Sequence, residues 1–490
     1  MAFHPAGQSG HNSAPVDATQ IAALPDLSLS AHVALTGAPL KHALSAPSPA
    51  IRPSACPGLL RIVQAKDGGI CRIKLPCGRL DAEQAERIAA AAQRHAGGVI
   101  EATNRGNLQI RGIRIGAESA LIGELLAADL GPRSPGGDDV RNLMVSPAAG
   151  VDPQALLDTS ALAARLLDSL ENTPRLHALS AKFALLLDGG ERLAMLEHPH
   201  DIWLSAALLD GQPAYAFGLA GCPPVAGDDA PALAMVSEAQ AHALVIALLD
   251  LFLDLASAEQ TRMRHLLQNY STAELLERLQ ARLGPRLSSA EGWRRRPAQA
   301  NTHLGIQPQH QPGRVHIGAT PTLGRLNAVQ LLGLADLARR FGDGSLRLTP
   351  WQSVLLTDIA EAAAAPVTAA LQALGLLTDA AQPLARLIAC TGASGCAKAL
   401  ADTKADALRL AEQLQSAGQL PTIHLSGCSR SCAAAHRAPY TLLAVAEGRY
   451  DLFARQPLST GFGQALGHHL TPEEAGKLLA ALPATRSFTR

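Results

Sequence analysis

Residues 69–75 alternate between hydrophobic and polar side chains, the period of a half-buried strand. A Gly78 turn then leads into a helical pattern over 81–95, with Asp81 placed as its N-cap. Two further short strands over 98–103 and 107–113 complete a β-α-β-β unit. The unit returns 246 positions later, where Gly78-Arg79-Leu80 falls on Gly324-Arg325-Leu326. The register carries Ala82 onto Ala328, Gln84 onto Gln330, Arg94 onto Arg340, Gly98 onto Gly344 and Ile113 onto Ile359. With one-residue slips it continues, 141–150 falling on 386–395 and Leu179-Ser180 on Leu425-Ser426. Solenoid repeats run roughly 20 to 50 residues, so so long a period predicts two copies of one design in a pseudo-twofold α+β molecule.

Between the copies, residues 241–255 and 271–283 carry helical periods joined by Arg262-Met263-Arg264 and read as a connector packed on the first copy. Residues 397–415 predict a helix that starts just after Cys396. The longest apolar run, 243–258, is interrupted by Asp250 and Asp254. It falls short of the ~18–20 residues a membrane span needs and reads as a buried helix. Residues 1–54 are rich in Ala, Pro, Ser, Gly and His and read as a disordered extension.

Composition narrows the partners. Across 490 residues, 42 basic side chains balance 42 acidic ones, so no net charge draws the chain to nucleic acid or to an anionic membrane. Any anion must be bound by local clusters, and the first copy offers Arg105, Arg111, Arg114, Arg141 and Lys182 in loops and strand ends. Eight cysteines are too sparse for a disulfide framework and fit a reducing compartment. Residues 1–10 have neither a charged nor an apolar signal region, which makes a cytoplasmic location the expectation.

Four of those cysteines cluster as Cys390-x5-Cys396 and Cys428-x3-Cys432. Converging thiolates repel one another unless a soft cation neutralises them, and all-cysteine sets serve zinc or an iron–sulfur cluster. The wide, glycine-containing first loop favours a [4Fe-4S] cube, with structural zinc and four buried thiols as the alternatives. The copied positions in the first half are Val145, Val151, Lys182 and Leu186, so only the second half can hold the metal. Cys71 and Cys77 share the C-x5-C spacing, but along a strand six residues of ~3.3 Å separate them by roughly 20 Å. His424 and His436 flank the second cysteine pair and are weaker candidates to touch substrate or iron. No strand-GxGxxG-helix fingerprint is present, so electrons are expected from an external donor.

The two cysteine pairs in the second of two copies resemble the nitrite and sulfite reductase superfamily. The resemblance implies two paired ferredoxin-like half-domains, at 55–125 and 301–380. It adds two α/β domains, at 138–300 (with the connector) and 384–490, clasping siroheme beside a [4Fe-4S] cluster. It casts Cys390, Cys396, Cys428 and Cys432 as cluster ligands, Cys432 nearest the tetrapyrrole iron, and Arg105, Arg141 and Lys182 as the catalytic cations that grip the anion. Sulfite reductases carry Lys-x-Lys where this chain has Lys182-Phe183-Ala184, so one cation is missing.

Several phrases are similar to the precorrin-3B synthase branch: Cys56-Pro-Gly-Leu, Asp67-Gly-Gly-Ile-Cys-Arg-Ile-Lys-Leu-Pro, Thr103-Asn-Arg-Gly-Asn-Leu-Gln-Ile-Arg-Gly, Leu348-Thr-Pro-Trp351 and Cys396-Ala-Lys-Ala-Leu-Ala-Asp-Thr403. That branch implies oxygenation of precorrin-3A by O2 to a C20-hydroxylated ring-A lactone in aerobic cobalamin biosynthesis. NADH is the ultimate donor, through a reductase, and a non-haem iron is implied whose ligands the sequence does not reveal. Arg105, Arg111, Arg141, Arg325, Arg347 and Arg430 are the candidates to bind the substrate's carboxylate rim, with Lys398 and Arg437 as weaker ones. A siroheme nitrite or sulfite reductase, and a zinc-binding scaffold or metal sensor, are the competing readings.

Overall fold

The computed structural model describes residues 56–284, 286–415, 421–434, 438–456 and 461–482. The expected extension over 1–54, His436 and Arg437 lie outside them.

The first segment runs β1 (Val63–Ala65), β2 (Gly68–Ile73), β3 (Arg79–Asp81), α1 (Ala82–His95), β4 (Val99–Ala102), β5 (Leu108–Ile113) and α2 (Glu118–Ala127). β2, α1, β4 and β5 fall where the periodicity predicts them, whereas β1, β3 and α2 lie outside that prediction. Asp81 caps α1 through a reciprocal capping box with Gln84, and Asn327 with Gln330 repeats it in the second copy. The turn before each helix is also repeated: Cys77 and Gly78 have φ 53 and 72, and Leu323 and Gly324 have φ 52 and 74.

The first α/β domain follows with α3 (Gly137–Val140), β6 (Leu143–Val145), α4 (Ser160–Asn172), β7 (Leu185–Asp188), β8 (His200–Leu209), β9 (Gln212–Gly221), β10 (Ala234–Ser237), α5 (Ala241–Leu255), α6 (Met263–Leu266) and α7 (Thr272–Leu283). Helices α4, α5 and α7 share one apolar core with the inner strands, so the connector packs on the first copy. The second copy runs β11 (Gly305–Pro308), β12 (Arg314–Ala319), β13 (Arg325–Leu326), α8 (Ala328–Phe341), β14 (Ser345–Leu348), β15 (Val354–Ala360) and α9 (Ala364–Ala373). The second α/β domain is β16 (Leu387–Ala389), α10 (Thr403–Gln413), β17 (Ile423–Ser426), β18 (Tyr440–Ala446), β19 (Arg449–Ala454), β20 (Gln464–Leu470) and α11 (Pro472–Ala481).

Among the described residues, four five-stranded sheets result. Two belong to the α/β domains and share one topology, β6-β7-β8-β9-β10 and β16-β17-β18-β19-β20, with two parallel pairings followed by two antiparallel ones. The other two exchange a strand. The order β1-β2-β5-β4-β13 takes its last strand from the second copy, and β11-β12-β15-β14-β3 takes its last from the first. The pairs are Arg325↔Glu101 and Arg79↔Arg347. Ile88 and Ala92 of α1 and Leu331 and Leu334 of α8 lie in one continuous core, each at most 1 % exposed. Full burial of each Ile or Leu contributes about 1.5–3 kcal/mol, so the two copies stabilise one another.

Strand pairing corrects the sequence register from β6 onward: Leu143 occupies the place of Leu387, so Ser146 rather than Val145 stands where Cys390 does. Because β7 begins at Leu185, Leu187-Asp188 occupies the place of Leu425-Ser426, where the sequence reading put Leu179-Ser180. Gly190 therefore stands where Cys428 does, and Lys182 precedes the strand. The helix expected from 397 begins instead at Thr403, capped by the Asp402 side chain, and residues 397–402 are turns.

Candidate functional site

Sheet alternation builds the first wall. On β2, Cys71 and Ile73 point into the core, which leaves Ile70 and Arg72 on the other face; on β5, Leu108 and Ile110 are buried and Gln109 and Arg111 lie opposite. Cross-strand register lines up Arg72, Gln109, Glu101 and Arg325 in one row, and Arg72 Nη2 donates to Gln109 Oε1 at 2.8 Å. Arg105 hangs over the end of this wall on a tight turn. There Gly106, φ 64, donates its amide to the Thr103 carbonyl at 3.1 Å.

This wall faces a cavity of ≈ 970 Å³ closed by Asn142, Lys182, His198, Arg262 and Arg264 of the first α/β domain and by the four cysteine positions of the second. Its described lining carries ten lysines and arginines and one carboxylate, Glu101. No carboxylate pairs with Arg105 among the described residues; burial first, then Arg262 and Arg72, bring its pKa to about 10, so it stays cationic at neutral pH. Burial brings the Lys74 ammonium to about 7 despite Asp138 and Asp139, and its Nζ donates to the Asp139 carbonyl at 2.8 Å. Burial and Arg105 hold His200, behind this wall, neutral with a pKa of about 3.

The thiols line the opposite wall. Cys390 Sγ accepts the Gly427 amide at 3.2 Å and lies 3.4 Å from Thr403 Oγ1, so the start of α10 meets Cys390 rather than Cys396. Two glycines make this approach sterically feasible. A Cβ on Gly427 would stand 2.6 Å from the Ala399 Cβ, and one on Gly392, φ 76, would stand 2.7 Å from the Thr403 amide. Burial, then the neighbouring Cys428, Cys390 and Cys396, raise the Cys432 thiol. Cys432 thus lies close to the other three thiols, and thiolates brought together repel one another unless a cationic iron–sulfur core offsets their charge. Among the described residues no three His, Cys, Asp or Glu side chains converge to hold a single metal ion. Four cysteines on one wall are the donor set that an iron–sulfur cluster takes.

Of the residues singled out from sequence, Arg105, Lys182, Arg430, Lys398, His424 and the four cysteines line the cavity. Arg111 lines it too, but its guanidinium is held by Asp67 at 2.9 Å. Four others are outside the lining. Arg141 is buried against Glu171 at 3.3 Å, and Asn142 takes its place on the wall. Arg325 donates to Glu101 at 2.9 Å, and Arg347 donates to the Pro147 and Ala149 carbonyls at 3.1 and 2.9 Å. Arg114 turns away to the Ala96 carbonyl. Cys71 is fully buried and Cys77 packs against the first α/β core, both remote from the four thiols in role.

Sequence reasoning did not pick out Arg72, Lys74, Glu101, Arg262, Arg264 and Lys404. The alternation of β2 carried the signal for Arg72. Nothing local places Arg262 and Arg264, which come from the connector. Ala184, at the position of the missing cation, is buried with its amide donated to Asp201 at 2.8 Å.

Comparison with known proteins agrees with this architecture. The nitrite/sulfite reductase ferredoxin-like half domain matches residues 62–128 and again 307–374, and the nitrite and sulphite reductase 4Fe-4S domain matches 136–287. The latter is the copy without the four cysteines. A chloroplastic ferredoxin–nitrite reductase of Zea mays is 30% identical over 386 residues, covering 74% of this chain and 67% of that one. A precorrin-3B synthase of Sinorhizobium is 28% identical over 402 residues, covering 81% and 82%. The solved structure of the Mycobacterium tuberculosis NirA protein superposes with a TM-score of 0.70 at 21% identity, covering 84% of this chain and 79% of that one. With both halves matched to its half-domain and two identically wound α/β domains beside them, the chain belongs to the nitrite and sulfite reductase family.

Proposed function

We propose that this chain is an iron–sulfur oxidoreductase that binds a polycarboxylate tetrapyrrole and, within that class, a precorrin-3B synthase. It oxygenates precorrin-3A with O2 and reducing equivalents from NADH to the C20-hydroxy ring-A lactone. One observation carries the reading: a ≈ 970 Å³ cavity with four thiols on one wall and ten lysines and arginines against a single carboxylate in its lining, Asp67 and Asp201 outside the lining holding Arg111 and Arg262. Such an excess suits several carboxylates held by charge-assisted hydrogen bonds. Cys390, Cys396, Cys428 and Cys432 are the proposed ligands of a [4Fe-4S] cluster, which when bound supplies electrons one at a time. Arg72 and Arg105 orient the macrocycle by its rim. Lys74, with a pKa of about 7, can hold or release a proton at Nζ beside the bound ligand. Ala184 favours this reading over a small oxyanion substrate, because a buried methyl replaces a cation that would contribute roughly 1.5–3 kcal/mol to an ionised ligand.

The similarity to the Zea mays enzyme favours a second reading, siroheme-dependent nitrite reduction by an external electron donor. Purified protein incubated with precorrin-3A, O2 and a reductant is expected to give a product heavier by one oxygen atom. Extractable siroheme together with nitrite turnover, and no change in precorrin-3A, replaces the first reading with the second.

A further inference from the structure

Side chains from the opposite copy, together with Lys404 of the same copy, hold the first cysteine loop. Lys66 Nζ donates to the Ala393 carbonyl at 2.7 Å, and Arg111 Nη2 to that of Gly395 at 3.3 Å. Thr391 Oγ1 donates to Glu101 Oε2 at 3.3 Å. Lys404 Nζ reaches the Ala389 carbonyl at 3.3 Å and that of Leu323 at 2.6 Å. Glu101 is the centre of this arrangement: it is 6 % exposed, with Arg325 at 2.9 Å, Arg111 at 3.7 Å and Lys404 at 3.9 Å.

The internal symmetry shows what is particular about it. Position 101 in β4 corresponds to 347 in β14, and each pairs with the exchanged strand of the other copy. At the closed counterpart, Arg347 and Arg79 both donate to the Ala149 carbonyl at 2.9 Å and grip that loop directly. Facing the thiols, the same position holds a carboxylate instead. A buried anion beside an anionic cluster is unfavourable by itself and persists because three cations surround it.

We propose that Glu101 is a positioning residue for the cluster. With Lys404 it fixes the backbone on both sides of Cys390, and its charge sets the reduction potential of the cluster that the four thiolates hold. The proposal rests on the cysteine assignment made above. Glu101 also lines the cavity, so its carboxylate is shared between the ligand site and the loop.

The test is a reductive titration of the purified wild type and variants, followed by electron paramagnetic resonance, with iron and sulfide content measured on each. Removing a negative charge favours the reduced cluster, so Glu101→Gln is expected to raise the midpoint potential and Lys404→Met to lower it. Glu101→Asp is expected to stay near the wild type. A purely structural role gives no such opposite signs. Intact clusters with unchanged potentials in both charge variants overturn the proposal. If Glu101→Gln does not fold, Lys404→Met and Thr391→Val decide alone, and an unchanged potential in both overturns it. A wild type without iron and sulfide instead removes the cysteine assignment, a failure distinct from that of the positioning role.

Discussion

Arg105 and Lys74 are both buried cations, yet they respond to burial differently. The guanidinium keeps its proton with a pKa of about 10, whereas the ammonium falls to about 7. Arg105→Ala is expected to weaken tetrapyrrole binding about 10- to 100-fold, the value of one charged contact, and to leave iron and sulfide content unchanged. An absorption titration measures it, and equal affinity returns Arg105 to a structural role. For Lys74 the folded pKa lies below the unfolded 10.5, so between about pH 7 and the unfolded value the unfolded chain binds more protons. Its contribution is therefore a destabilisation fully present below pH 7 that is relieved as pH rises. Lys74→Met removes this slope. The advantage of the variant over wild type in urea unfolding is expected to shrink from about pH 6 to about pH 9, and a pH-independent difference contradicts it.

At the level of elements, the repeated turn before α1 and α8 has the same backbone but different surroundings. A Cβ on Gly78 would lie 2.7 Å from the Leu348 carbonyl oxygen and 3.3 Å from that of Gly106, both backbone. On Gly324 it would meet the side chain of Gln352 at 2.5 Å, which can move. Both carry the left-handed penalty of about 1–2 kcal/mol for a non-glycine residue. Gly78→Ala is expected to cost about 1 kcal/mol more than Gly324→Ala in chemical denaturation, because only its clash is with fixed atoms. Equal losses would show that the two turns have the same freedom, and the reverse order that Gly324 is the more confined.

For the whole molecule, the exchanged strands make each copy incomplete. Residues 56–300 lack β13, and β3 has no partner without β14. The core shared by α1 and α8 is halved as well. The fragment 56–300 is expected to unfold at lower denaturant than the intact protein, with its ferredoxin-like part unfolded, and to regain that part when co-expressed with 301–490. A fragment that melts like the intact protein would refute the interdependence. No helix among the described residues is long and apolar enough to cross a membrane.

The sequence by itself determined the local units: the capped helices, the alternating strands, the duplication and the cysteine pairs. Each depends on spacing within about 20 residues or on direct repetition, which one chain displays without a partner. Alternation also carried Arg72 to the cavity side of β2, although only the sheet reveals what that side faces. Tertiary structure decided everything that depends on which copy contributes to which. Strand exchange cannot be read from a repeat, because β3 and β13 satisfy the same pattern whether they pair at home or across. The long connection between β6 and β7, which carries α4, hid the true counterpart of Cys428, since insertions leave no trace in local periodicity. Arginine chemistry misled for the same reason. Arg141, Arg325 and Arg347 have the residue type a carboxylate rim needs, but Glu171, Glu101 and two backbone carbonyls reach them first.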